Sequence, residues 1–176
     1  MKSAGNKNTT CIFWGCVLCA IFMFSCARPS SAQMDKKKNM MITLKVLNVS
    51  NHQPVSVELE CTLKNETPDT YKILKWGTPF EETFNDHMFE VTRYGEPITY
   101  IGRQIKRGAP REEDFITINP WGVLSVKFFL ENGYRINSSG EYAVRYRKPF
   151  INAKKDQGEM QLLPVLSNRV EFRIDK

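Results

Sequence analysis

The sequence predicts an all-β fold: two antiparallel sheets of about seven to nine strands packed face to face. Three observations carry this expectation. Apolar and polar residues alternate with a period of two from Met40 almost to the C-terminus. Turn clusters rich in Gly, Pro, Asn, Asp and Ser interrupt the alternation every eight to twelve residues or so. No stretch after residue 40 shows the three-to-four-residue apolar spacing of a long amphipathic helix.

The elements follow in order. Ile42-Thr-Leu-Lys-Val-Leu47 alternates and stops at Asn48-Val-Ser-Asn-His-Gln-Pro54, a turn-rich connection. Val55–Leu63 alternates again and ends at Lys64-Asn-Glu-Thr-Pro-Asp69. Thr70–Trp76 reads as a third strand and Met88–Tyr94 as a fourth. The chain then turns at Gly95-Glu-Pro97 into Ile98-Thr-Tyr-Ile101, a hairpin by its spacing. Phe115–Ile118, Val123–Phe129, Glu141–Arg147 and Arg169–Ile174 complete nine candidates. Lys148–Pro164 reads as an irregular connection, with Lys154–Gly158 in solvent. Ser139-Gly-Glu-Tyr142 opens a strand with a tyrosine just after a glycine turn. This is the arrangement of the tyrosine corner, which makes the predicted sandwich immunoglobulin-like.

Length and composition fit one globular domain: 176 residues, 41% hydrophobic and 25% charged. The formal charge is +6, but Lys2, Lys7 and Arg28 are unopposed by any acid in residues 1–32, so their removal leaves +3. A charge that mild does not call for nucleic acid. Lys2 and Lys7 precede an apolar run from Cys11 to Phe24, followed by small and polar residues, the order of a secretory signal. Its fourteen residues span about 21 Å as a helix, short of a bilayer core of about 30 Å. Two processing sites stand open. Ser30-Ser-Ala32 before Gln33 fits cleavage between Ala32 and Gln33. Met23-Phe-Ser-Cys26 resembles a bacterial lipobox with Cys26 as the lipidated residue, although Phe24 departs from the usual small or aliphatic residue. The expected organisation is a signal peptide over 1–32, or a lipoprotein signal ending before Cys26, a lysine-rich tether over 33–39 and one β-sandwich domain over 40–176. The expected destination is outside the cytoplasm: periplasmic, membrane-anchored or extracellular.

Four of the five cysteines lie in or beside this signal. Cys61 remains in the body, on the apolar face of its strand, and is expected as a buried, inert thiol. Asn48-Val-Ser50, Asn65-Glu-Thr67 and Asn137-Ser-Ser139 have the form of glycosylation sequons, and a lipobox-like signal argues against their use.

Chemistry is sparse. A helical zinc protease site needs two histidines one turn apart with a glutamate between them. His52 and His87 stand far apart and in no such motif. There is no phosphate-binding glycine loop, metal-spaced cysteine set or nucleophile elbow. No enzyme activity, cofactor or metal is expected. Glu81-Glu82 and Glu112-Glu-Asp114 read as solvated loops.

Leu74-Lys-Trp-Gly-Thr-Pro79, Phe84-Asn-Asp86 with Met88-Phe-Glu-Val91, Lys106-Arg-Gly-Ala-Pro110 and Gly140-Glu-Tyr-Ala-Val-Arg-Tyr146 together resemble the N-terminal, propeptide-like β-sandwich of aspzincin metalloendopeptidases, the deuterolysin and peptidyl-Lys endopeptidase relatives. The resemblance covers about residues 40–147. It implies an accessory module without the zinc-binding signatures. Such a module would act by binding protein, as a prodomain or inhibitor does; a structural envelope lipoprotein is the alternative. Membrane contact is expected only through a lipid on Cys26. The expected contact residues are Trp76, Phe80, Arg103, Lys106, Arg107 and Arg111, on the loops around 76–86 and 103–111, because arginine and aromatic residues are enriched at binding hot spots.

Overall fold

The computed structural model describes residues 40–156 and 158–175. The signal sequence, Cys26, the Ala32–Gln33 junction and the 33–39 tether lie outside them. The described residues form an all-β sandwich of two sheets. The strands are β1 (Met40–Ser50), β2 (Ser56–Asn65), β3 (Tyr71–Leu74), β4 (Phe89–Arg93), β5 (Glu96–Pro97), β6 (Phe115–Ile118), β7 (Val123–Phe129), β8 (Gly140–Tyr146), β9 (Phe150–Lys154), β10 (Gln161–Ser167) and β11 (Arg169–Ile174). One sheet has the order β6-β3-β9-β10-β1-β2-β7 and the other β11-β8-β4-β5. Three short 3₁₀ turns lie between strands.

The alternation read from the sequence sets which face is buried. In β2 every second residue from Val57 to Leu63 is fully buried, Cys61 among them, while Glu58, Glu60 and Lys64 point out. Ile42, Leu44, Leu59 and Leu63 of the large sheet join Phe89, Val91, Val144 and Tyr146 of the small one in a single core. Burial pushes the Cys61 thiol up to about 12, so it stays protonated and inert. Tyr142 is buried, and its hydroxyl donates to the Ser138 carbonyl at 2.6 Å. The tyrosine corner is therefore present as expected.

Three expectations need correction. Lys148–Pro164, expected as an irregular connection, holds β9 and the first half of β10, which pair with each other. The hairpin after β4 turns at Tyr94–Gly95, where both residues have positive φ, and Glu96–Pro97 form the return strand instead of the turn. One pair within the otherwise antiparallel sandwich is parallel: β1 runs alongside the second half of β10, with Met40 opposite Val165. Pro164 sits where β10 leaves β9 and joins β1. A residue without an N–H is tolerated at such a changeover.

Two polar devices lock the connections. Asn65 is fully buried. Its amide donates to the carbonyls of Asp69 (2.7 Å) and Asn119 (2.9 Å), and its oxygen accepts from the Thr67 N–H (3.0 Å) and hydroxyl (2.8 Å). It thus ties the turn after β2 to the turn before β7, a structural task in place of a glycan site. Asn168, between β10 and β11, grips both backbone groups of Leu44, at 2.7 and 2.9 Å.

Candidate functional site

The candidate site is a groove of about 560 Å³ between the loop after β3 and the segment before β6, bordered by Trp76, Gly77, Asp86, Ile105, Lys106 and Arg107. A second depression continues past Trp76 and Arg107 towards Arg111 and Asp114.

The loop after β3 is shaped locally. Gly77 adopts φ +64, a left-handed conformation that suits glycine. A Cβ there would come within 2.2 Å of the Lys148 ammonium. Thr78 caps the 3₁₀ turn Pro79–Glu81 by accepting from the Phe80 N–H. Glu81 then folds back: one oxygen accepts from the Gly77 N–H at 3.0 Å, the other from Asn85 at 2.8 Å and from the Arg107 guanidinium. Its side chain is only 11% exposed. The expectation that Glu81 is a solvated loop acid therefore fails, because three groups converge on its carboxylate: the Gly77 N–H, the Asn85 amide and the Arg107 guanidinium. The spacing Thr78-x-x-Glu81, that of a capping box, is the signal in the sequence that could have found it.

Arg107 bridges the two loops. It pairs with Glu81 and lies 5.0 Å from the Trp76 ring centroid. The indole N–H of Trp76 donates to Asp114 at 2.9 Å, and Asp114 also accepts from the Arg111 N–H at 2.8 Å. These hydrogen bonds, that from Arg111 first, hold the Asp114 carboxyl below its usual range. Across the groove Lys148 pairs with Asp86 at 2.6 Å. Burial pulls the Asp86 carboxyl up, but the hydrogen bond and charge of Lys148 prevail and hold it low. The result is a half-buried tryptophan fixed by an arginine and an aspartate, beside exposed Ile105 and Lys106.

Beneath this rim lies an aromatic cluster. His87 stacks on Tyr100 at 5.4 Å and touches Tyr134, with Arg147 at 3.5 Å from its Nδ1. Burial, then the Arg147 charge, lower its pKa. The Tyr100 hydroxyl lies 2.9 Å from the Phe84 carbonyl and 2.8 Å from that of Arg103, linking the two rim loops.

The residues expected at a contact surface separate here. Trp76, Lys106 and Arg107 converge on the groove, and Arg111 lines its extension. Arg103 is exposed beside the groove without lining it. Phe80 is 6% exposed and belongs to the core, because the capped turn directs it inward, so it is unavailable to a partner. Asp86 and Ile105 complete the groove and fall on the two loops expected at the contact surface without having been singled out there, and Lys148, which pairs with Asp86, carried no signal in the sequence.

No family model matches the chain. It shares 32% identity over 95 residues with a protein described as an extracellular protease from Aeromonas hydrophila. The match covers 54% of this chain and 27% of that protein. This chain thus contains a protease-related stretch, and it spans about a quarter of the protease's length. Among solved structures, Northeast Structural Genomics Consortium target SoR45 aligns with a TM-score of 0.38 and 9% identity, over 76% of this chain and 84% of that one.

Proposed function

We propose that this protein is an exported, non-catalytic β-sandwich module that binds a protease or a protease-like protein, in the manner of a prodomain or inhibitor. The observation that carries this reading is the 95-residue likeness to part of an extracellular protease. The groove supplies the means. Trp76 offers a large apolar face already oriented by Asp114 and Arg107, so little side-chain freedom is lost on binding. Ile105 and Lys106 stand exposed beside it, one for apolar contact and one for charge. A few such anchors, more than area, set affinity.

The test is retention and inhibition. The exported protein, immobilised, is challenged with the secreted proteases of its own host. A retained protease whose activity falls supports the reading. Trp76→Ala is then expected to weaken binding about 30-fold or more, the loss of one hot spot. The exposed pair Ile105→Ser and Lys106→Glu is expected to weaken it at least tenfold, with an unchanged circular dichroism spectrum. Failure to retain any protease of the host sinks the reading.

A further inference from the structure

The edge of a sheet invites a further strand, because its outer N–H and C=O groups lack partners. Among the described residues, three of the four edge strands are blunted. β5 has two residues and β6 four, and β11 presents Arg169, Glu171 and Arg173 at its exposed positions. β7 is the fourth edge. Its seven residues, Val-Leu-Ser-Val-Lys-Phe-Phe, include no glycine or proline and a single charge.

The register shows which groups this edge offers. The Asn65 N–H donates to the Gly122 carbonyl at 3.0 Å. Every second residue after Gly122, namely Leu124, Val126 and Phe128, therefore bonds to β2. Their side chains pack against the core. The N–H and C=O of Ser125 and Lys127, the C=O of Val123 and the N–H of Phe129 point away from the sheet instead. Among the described residues, none of these six groups has a hydrogen-bond partner. Val123 and Phe129, at the two ends, are 56% and 46% exposed.

The order of its side chains selects the strand that fits there. From Val126 outward β7 has the same character in both directions: Ser125 and Lys127 are polar, Leu124 and Phe128 apolar, Val123 and Phe129 apolar. Laid antiparallel on its own copy with Val126 at the two-fold axis, the strand sets Val123 opposite Phe129, Leu124 opposite Phe128 and Ser125 opposite Lys127. The outward backbone groups then face each other. Moving the axis one residue either way sets Lys127 against Val123 or against the other Lys127, and leaves two residues of each strand unmatched. Like charges directly opposite one another destabilise a ladder. With the axis at Val126, each Lys127 lies between Ser125 of the copy and Glu60 of its own β2. A two-fold contact requires such self-complementarity.

We propose that β7 pairs antiparallel with β7 of a second copy about a two-fold axis at Val126, joining two seven-stranded sheets edge to edge. About six backbone hydrogen bonds form, and Val123 of each copy covers Phe129 of the other. None of these residues lines the groove beside Trp76, so the contact stands or falls independently of protease binding.

The experiment is sedimentation equilibrium of the exported chain, with amide hydrogen exchange at low and high concentration. A strand edge of about 24 Å is smaller than a standard interface, so a reversible dimer half-formed at about 10–100 µM chain is expected. Exchange at Ser125, Lys127 and Phe129 is expected to slow as the dimer forms, while Leu124, Val126 and Phe128, already bonded to β2, stay unchanged. Ser125→Pro removes an outward N–H and spares the ladder to β2. It is expected to keep the circular dichroism spectrum and abolish the dimer. Ser125→Lys sets two lysines opposite each other and is expected to weaken the dimer about threefold or more, whereas Ser125→Glu faces Lys127 and is expected to tighten it about threefold. A chain still monomeric at about 1 mM overturns the proposal. So does a dimer that survives both Ser125→Pro and Ser125→Lys, since another surface would then hold it. Equal effects of Ser125→Lys and Ser125→Glu overturn it too, as does protection of these amides only when a different protein is added.

Discussion

At the scale of single residues, two polar side chains carry more than their exposure or position suggests. Asn65 satisfies four groups from inside the fold. Asn65→Ala strands buried donors and acceptors and is expected to cost about 2–4 kcal/mol, measured as a lower urea midpoint with an unchanged slope. Tyr142→Phe removes only the corner hydrogen bond to Ser138 and keeps the ring stacked on Phe172. It is expected to cost about 1–2 kcal/mol in the same titration, with the fold retained. The two residues differed in how plainly the sequence announced them. Tyr142 stands at a fixed offset from a glycine turn, a local signal. Asn65 reads as one more turn residue, because its partners Asp69 and Asn119 come together only when two distant turns meet.

At the scale of elements, the strands whose two faces differ were legible and those whose faces match were not. β2 alternates glutamate and lysine with buried aliphatics, so its period of two is unmistakable. β10 reads Gln-Leu-Leu-Pro-Val-Leu-Ser, apolar on both faces and broken by a proline, so no alternation shows. β9 presents only Ile151 and Ala153 inward, between Pro149 and a lysine pair. Both nevertheless contribute to the core. Ile151→Ala is expected to destabilise the domain by about 2–4 kcal/mol, whereas Leu166→Ser on the outer face is expected to change stability by less than about 0.5 kcal/mol. Equal effects of the two substitutions in thermal unfolding would contradict the register described for β9 and β10.

At the scale of the whole molecule, the site joins loops from distant parts of the chain. The sequence marked Trp76, Lys106, Arg107 and Arg111 through their residue types. It could not mark Phe80 as core, which depends on the direction imposed by a capped turn, and it marked Glu81 only through the Thr78-x-x-Glu81 spacing, since the partner Arg107 comes from a distant loop. The rim also gives the domain a pH dependence. His87 is held neutral below its ordinary value near 6.5 by burial and by Arg147. The unfolded chain therefore takes up that proton first, and stability present above about pH 6.5 is lost as the pH falls through the lowered folded value. Asp86, held below its ordinary value near 3.8 chiefly by Lys148 against the pull of burial, adds a further loss at lower pH. A urea midpoint that declines from about pH 6.5 downward is the expected outcome, and His87→Gln is expected to flatten the upper part of the decline. A midpoint constant between pH 7 and 5 would contradict this account.

The parallel pairing of β1 with β10 bears on how the protein is made. Met40 must wait for its partner Val165, and Leu44 waits for Asn168, 124 residues further along the chain. The β1–β2 hairpin emerges early, but the large sheet stays open along one side of β1 until the last strands appear. Contacts this distant in sequence slow folding. Until β10 and β11 leave the ribosome, the chain lacks the partners that would close its large sheet around β1. The domain therefore cannot complete its fold while β10 and β11 are unmade, and its core stays open for as long as those two strands are held back.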